Sequence, residues 1–326
     1  MKKTFTLLAI IFNLSNTCAL AAQPPSNFVV FGDSLSDIGN NYWVYATGTP
    51  ITSFDQQGNK STWVNYLSET ILKQPASFSS KPALSPLSQT VSYAYAGADT
   101  SDHYLNSDWP ENTPIPDINP DCKKPGLMKD AQQEVSAACV PGMLKQIDLY
   151  LNDVNHKPNP NTLFFIWAGA NDLFYKLPTG QPPEQIIKTA MTNLVQAKNK
   201  LLDEGVLPQQ IYVLNLPDLS KTPFAIKNNL NLTQISVAFN TNLSAVLTTA
   251  DQHHPGIPTS HIISMYDLLN DVVLQPDKYH VKNTTESCAE NKKAPLCSEY
   301  VFYDNKHPTA LMHHVISDYI SASLKS

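Results

Sequence analysis

The chain has 326 residues, 42% of them hydrophobic and 15% charged, with a formal net charge of −6. That apolar content is enough for a sizeable core and excludes a disordered chain. All 22 basic residues are Lys, so the planar fork that Arg brings to phosphates and base edges is missing. Nucleic-acid binding and a polybasic grip on anionic membrane are thereby excluded.

Residues 1–21 read as a cleaved export signal, with Lys2 and Lys3 as its charged start, Phe5 to Phe12 as a short apolar run and Ala19-Leu20-Ala21 as the cleavage site. The run is too short for a spanning helix, which needs about 20 residues. The mature protein, 22–326, is expected to be soluble, secreted through the periplasm and built as a single domain. Cleavage removes Cys18 and leaves Cys122, Cys139, Cys288 and Cys297. In an oxidising compartment these predict two disulfides, in one of three connectivities. Nearest-neighbour pairing, Cys122–Cys139 and Cys288–Cys297, needs the least loop closure and is the expected one. No metal site is expected. The chain has no C-x-x-C pair or H-E-x-x-H, and the adjacent pairs His253-His254 and His313-His314 diverge on a helix.

Along the mature chain, short β-rich runs alternate with helical patterns, the signature of a three-layer α/β/α domain with a mainly parallel sheet. The five predicted strands are Asn27–Phe31, Val91–Tyr95, Leu163–Ala168, Gln210–Leu214 and His261–Met265. Their continuous apolar character suits strands covered on both faces. Helices are predicted at Ser61–Leu72, Gly142–Leu151, Pro183–Glu204, Leu232–Asp251 and Thr309–Leu324. The clearest places Ile187, Ala190, Leu194, Ala197 and Leu201 on one stripe, after Pro182-Pro183 and before Gly205. Asp99–Pro141 is rich in Pro and Asn, holds both early cysteines and reads as an insertion within the domain.

Chemistry concentrates at the ends of these strands. The first runs into Gly32-Asp33-Ser34-Leu35, which puts a serine where open α/β sheets bind ligands, although a serine there can also cap the next helix. Near the other terminus, Asp304 and His307 share one loop before the last helix. An imidazole there can act as general base for a serine hydroxyl, with the carboxylate fixing its tautomer. Gly97 follows the second strand and Asn171 the third. The backbone amides of Ser34 and Gly97 and the side-chain amide of Asn171 supply three donors for a tetrahedral oxyanion. Each of the last two also has a plain reading as a turn or cap residue.

Taken together, these blocks resemble the GDSL (SGNH) hydrolase family, whose motifs supply Ser, Gly, Asn and His. Ser34 matches the first block, Gly97 the second, Asn171 in Gly169-Ala170-Asn171-Asp172 the third, and Asp304 with His307 the last. Asp37-Ile38-Gly39-Asn40 and Asn215-Leu216-Pro217-Asp218-Leu219 match further. The resemblance implies a flavodoxin-like fold with a mainly parallel five-stranded sheet and ester hydrolysis through an acyl-serine, without a cofactor. It also implies structural roles for Asp33 and Asp172. More narrowly, the chain is similar to secreted Gram-negative phospholipases A, lysophospholipases A and glycerophospholipid–cholesterol acyltransferases. The implied substrate is a lipid ester, foremost a lysophospholipid, met in transient contact with a membrane or micelle. An α/β-hydrolase is excluded, because no serine sits in a G-x-S-x-G elbow.

Two features bear on substrate and regulation. Aromatic residues at Tyr42, Trp43, Tyr45, Tyr104 and Trp109 can contact an acyl chain or a lipid surface, or simply anchor loops. The Lys-rich loop between Cys288 and Cys297 is a candidate gate for an activating protease, since such exposed tips are readily nicked.

Overall fold

The computed structural model describes residues 24–40, 62–79, 87–106, 121–129, 135–291 and 297–325. The expected export signal, the aromatic residues at 42–45 and Trp109 lie outside them. The five expected strands pair in one sheet as β1 (Asn27–Gly32), β3 (Val91–Ser92), β7 (Thr162–Trp167), β8 (Ile211–Leu214) and β9 (Ile262–Ile263). A two-residue strand, β2 (Ser77–Phe78), adds a sixth at one edge, giving the order β2-β3-β1-β7-β8-β9 with every pairing parallel.

Alternation along the strands buries both faces of the sheet. Val29, Phe31, Phe164, Ile166, Ile211 and Val213 point to one core. Phe28, Val30, Phe165, Trp167, Tyr212 and Leu214 point to the other. The first core is closed by α2 (Met143–Asp153), α4 (Pro183–Asp203) and α6 (Thr233–Thr248). The second is closed by α1 (Trp63–Leu67), α7 (Met265–Leu274) and α8 (Ala310–Ser323). Burial on both faces explains why the strands read as unbroken apolar runs.

Element boundaries differ from the sequence expectation where a cap or a short helix intervenes. The first predicted helix becomes α1 plus a π-turn at Ser68–Leu72, with Thr62 accepting from the Val64 amide as N-cap. The last predicted strand stops at Ile263, because the Ser264 hydroxyl accepts from the Asp267 amide and starts α7 there. Three helices, α3 (Ala170–Lys176), α5 (Pro223–Lys227) and α7, fall where no helix was predicted.

The Pro- and Asn-rich stretch carries an antiparallel sheet of β4 (Tyr104–Asn106), β6 (Val135–Pro141) and β5 (Gly126–Lys129), in that order. The Cys122–Cys139 disulfide ties β6 to the chain ahead of β5. Tyr104 packs on this disulfide, and Leu105 is buried against Tyr95, Ala98 and Val140. These two residues are therefore packing anchors. Near the C-terminus, β10 (Asn283–Ser287) and β11 (Tyr300–Phe302) pair in parallel, and the second disulfide, Cys288–Cys297, links the chain just after one to the turn just before the other. Among the described residues, no helix is long and apolar enough to cross a membrane.

Candidate active site

Strand order reverses around β1, with β3 on one side and β7 on the other, which opens a crevice at the carboxyl ends of these strands. Ser34 lies two residues past β1 and is 9% exposed. Gly32 sets its approach. A Cβ on that residue would come within 2.2 Å of the Trp167 carbonyl on the neighbouring strand, so only glycine fits there. The turn is held by Gln146, fully buried on α2. Its Oε1 accepts the Gly32 amide at 2.9 Å, and its Nε2 donates to the carbonyls of Gly32 at 2.8 Å and Pro141 at 3.1 Å.

The loop before α8 brings the acid and base to the serine. His307 Nε2 lies 2.7 Å from Ser34 Oγ, and His307 Nδ1 lies 2.7 Å from Asp304 Oδ2. The other Asp304 oxygen accepts the amides of Lys306 and His307 at 2.8 and 2.7 Å. One carboxylate thus fixes both the loop and the ring. Burial works to raise the Asp304 pKa, but the His307 charge and these hydrogen bonds outweigh it and hold the group at about 2. For His307, burial disfavours the charged form, while the Asp304 charge and hydrogen bond prevail and raise its pKa. The imidazole is poised to take a proton.

Gly97 and Asn171 are drawn together from the ends of β3 and β7. Gly97 has φ +85°, a left-handed conformation that glycine adopts without strain, and its carbonyl accepts from the Tyr175 hydroxyl at 3.1 Å. Asn171 Nδ2 donates to the Ala98 carbonyl at 2.8 Å. That bond uses one of its two N–H groups and fixes the amide plane. Asn171 lines the same cavity as Ser34 and His307. The stretch after β3 is stapled to the stretch after β1. Asn40 Nδ2 donates to the carbonyls of Ser92 and Ala94 at 2.9 and 2.8 Å, and Asp37 Oδ2 accepts the Ala96 amide at 2.9 Å.

Both neighbouring carboxyls are buried. Burial pushes Asp33 up to about 7, although its Oδ1 accepts the Leu35 amide. Asp172 receives the Thr100 amide and hydroxyl at 2.9 Å each and the Lys176 ammonium at 3.0 Å, which anchors α3 beneath Asn171. The cavity in front of Ser34 has about 80 Å³ open to water, with an apolar wall that includes Trp167, Met265, Leu268, Leu269, Met312 and Ile316. A nucleophile, a base and amide donors at the mouth of an apolar cavity can perform acyl transfer to or from a greasy acyl group.

Of the residues singled out in the sequence, the structure joins Ser34, His307 and Asp304 by hydrogen bonds and sets Asn171 on the same cavity, whereas Gly97 is not among the residues lining it and Gln146 was not anticipated. Its signal is a polar residue inside the apolar stripe of Met143, Leu144, Ile147, Tyr150 and Leu151 on α2.

A family model for GDSL-like lipases/acylhydrolases matches residues 28–320. A phosphatidylcholine-sterol acyltransferase from Aeromonas hydrophila is 26% identical over 69% of this chain and 54% of its own length. A Pseudomonas putida protein described as an uncharacterized protein in the trpE-trpG intergenic region is 25% identical over 99% of this chain and 52% of its own. The chain thus spans about half the length of these two relatives. A solved structure of an acetylxylan esterase mutant from Geobacillus stearothermophilus aligns with a TM-score of 0.44 and 8% identity, covering 93% of this chain and 96% of that one. With the family model running from β1 into α8, the chain belongs to the GDSL-like lipase/acylhydrolase family.

Proposed function

We propose that the protein is an exported serine ester hydrolase that removes acyl chains from lysophospholipids and phospholipids, with Ser34, His307 and Asp304 as its catalytic residues. The observation that carries this reading is the unbroken line from Ser34 Oγ to His307 Nε2 and from His307 Nδ1 to Asp304, 2.7 Å at each step, facing an apolar cavity. As Ser34 Oγ bonds to the ester carbonyl carbon, its proton passes to His307 Nε2 and the negative oxygen is held by the amides of Ser34 and Gly97 and by Asn171. Collapse breaks the bond to the alcohol, which leaves with the His307 proton. Water then gives a proton to His307, adds to the acyl carbon and releases the acid, and Ser34 recovers its proton.

Export is supported by the two disulfides, and residues 22–326 fit one domain because strands from residue 27 to residue 263 share one sheet. Acyl transfer to a sterol or another alcohol is a second reading, favoured by the likeness to the Aeromonas phosphatidylcholine-sterol acyltransferase. Gating by proteolysis between Cys288 and Cys297 is supported by hydrogen bonds from this turn to the acid–base loop. The Ala289 amide donates to the Tyr303 carbonyl, and Asn305 Nδ2 donates to Glu290. Residues 292–296 of that loop lie outside the described residues.

A fluorophosphonate probe should label the protein at Ser34 and fail on Ser34→Ala. Release from lysophosphatidylcholine should exceed release from short acetyl esters, and the opposite profile would refute the lipid reading in favour of an acetyl-esterase. Labelled cholesterol in the same assay reports transfer.

A further inference from the structure

Four consecutive residues after β3 are each tied to a side chain of α3. The Gly97 carbonyl accepts from the Tyr175 hydroxyl at 3.1 Å, and the Ala98 carbonyl accepts from Asn171 Nδ2 at 2.8 Å. Asp99 pairs with the Lys176 ammonium at 3.4 Å, and Thr100 gives its amide and hydroxyl to Asp172 at 2.9 Å each. Three pairs besides Tyr175 therefore dock α3 on this stretch. For the Gly97 carbonyl, by contrast, Tyr175 is the one donor among the described residues.

The amides of the stretch are divided in a telling way. Ala96 donates to Asp37 at 2.9 Å and Ala98 to the Tyr95 carbonyl at 3.0 Å, whereas the Gly97 amide between them has no acceptor among the described residues. The same holds at the nucleophile. The Leu35 and Ser36 amides both go to Asp33 at 3.0 Å, and the Ser34 amide has no acceptor there. An unspent amide can stabilise an oxyanion only if its direction is fixed beforehand. Glycine, here at φ +85°, is the residue least able to fix it. The peptide plane that carries the Gly97 amide is rigid in itself but can swing about the bonds at its two ends. The Asp37 bond restrains the Ala96 end and the Tyr175 bond restrains the Gly97 end, while the Asn171 bond to the next carbonyl keeps the glycine beside a side chain that lines the cavity. We propose that Tyr175 is a positioning residue for ester hydrolysis, whose hydroxyl holds the Gly97 carbonyl so that the Gly97 amide stays aimed at the oxyanion. This inference rests on the oxyanion role given above to Gly97 and Asn171 and is independent of which ester is cleaved.

A purely structural role is the competing account, in which the hydroxyl only fastens α3. Loss of a fastener lowers the fraction of folded protein and leaves the chemistry of each folded molecule as it was. The test therefore counts active sites by fluorophosphonate titration and reads kcat per site on a soluble p-nitrophenyl ester. Tyr175→Phe should lower kcat about tenfold with KM within about twofold, a smaller loss than the 10²–10³ of a donor removed outright. An alkyl trifluoromethyl ketone gives the second readout. Ser34 Oγ adds to its carbonyl carbon, the serine proton passes to His307, and the carbonyl oxygen becomes the anion that the donors hold. Its Ki should rise about tenfold in Tyr175→Phe, while the Ki of the corresponding alcohol, which forms no anion, should stay put. Asn171→Ala, measured alongside, should weaken the ketone as well. In the wild type, labelled with 15N-glycine, the Gly97 amide should show the order parameter of rigid backbone, about 0.85. That measurement stands even if Tyr175→Phe fails to fold. A ketone Ki that is unchanged in Tyr175→Phe, or that weakens only as much as the alcohol, overturns the assignment. So does a Gly97 amide with an order parameter below about 0.6. If Asn171→Ala leaves the ketone Ki unchanged too, the failure lies one step earlier, in the oxyanion reading itself.

Discussion

Replacing Gln146 with leucine keeps the side-chain volume nearly constant and removes three hydrogen bonds at the root of the serine turn. The Gly32 amide loses its 2.9 Å acceptor and becomes an orphaned buried donor. The Gly32 carbonyl keeps a bond from the Tyr95 amide at 3.2 Å, so its loss is partial. The Pro141 carbonyl loses a 3.1 Å bond. An unsatisfied buried amide costs about 1–3 kcal/mol and each of the lesser losses about 1 kcal/mol or less, so the expected destabilisation is about 3 kcal/mol. Urea unfolding followed by tryptophan fluorescence should show a lower midpoint at an unchanged slope. Activity per folded molecule should fall at least tenfold, because the turn that aims Ser34 is loosened. Gln146→Glu should be worse, since a carboxylate donates to neither carbonyl and buries a charge. If Gln146→Leu loses less than about 1 kcal/mol and retains full activity, the clamp has no role in positioning the serine.

Asp304→Asn should lower kcat about 10⁴-fold without unfolding the protein. The amide can still accept from the loop amides, but its NH₂ then faces His307 Nδ1 and favours the tautomer unable to take the Ser34 proton. In the wild type, kcat/KM should fall as pH drops through the raised His307 pKa, because the base must be neutral. A flat profile from pH 5 to pH 8 would contradict the assignment. Asn171→Ala should cost about 10²–10³ in kcat with little change in KM, checked by steady-state kinetics on a soluble ester. Asp33→Asn tests a buried acid. The folded pKa of about 7 lies above the ordinary 3.8, so the native state resists ionisation and wild-type stability declines as pH rises from about 4 to 7, by at most about 4 kcal/mol. The amide variant should lack that decline and be more stable than wild type at pH 8 in thermal unfolding.

The parts legible in the sequence were those written locally. Ser34 follows an apolar strand directly, and Asp304 and His307 are three residues apart, so a short reading window captures their chemistry. The sheet was legible because both of its faces are covered, as Phe164, Phe165 and Ile166 illustrate with full burial on alternating sides. Gln146 was not, because the group it serves is 114 residues away and no local pattern names it. The helices α3 and α5 were missed because they have only 7 and 5 residues, too few for a period to declare itself. Tyr104 shows the limit of reading aromatics from composition, since its place was set by a disulfide partner in another strand.

The serine and its imidazole are separated by 273 positions. A ribosome therefore makes the hydroxyl long before the imidazole. Until the stretch with the imidazole emerges and docks, the growing polypeptide carries the hydroxyl without the hydrogen-bond partner it has in the folded protein.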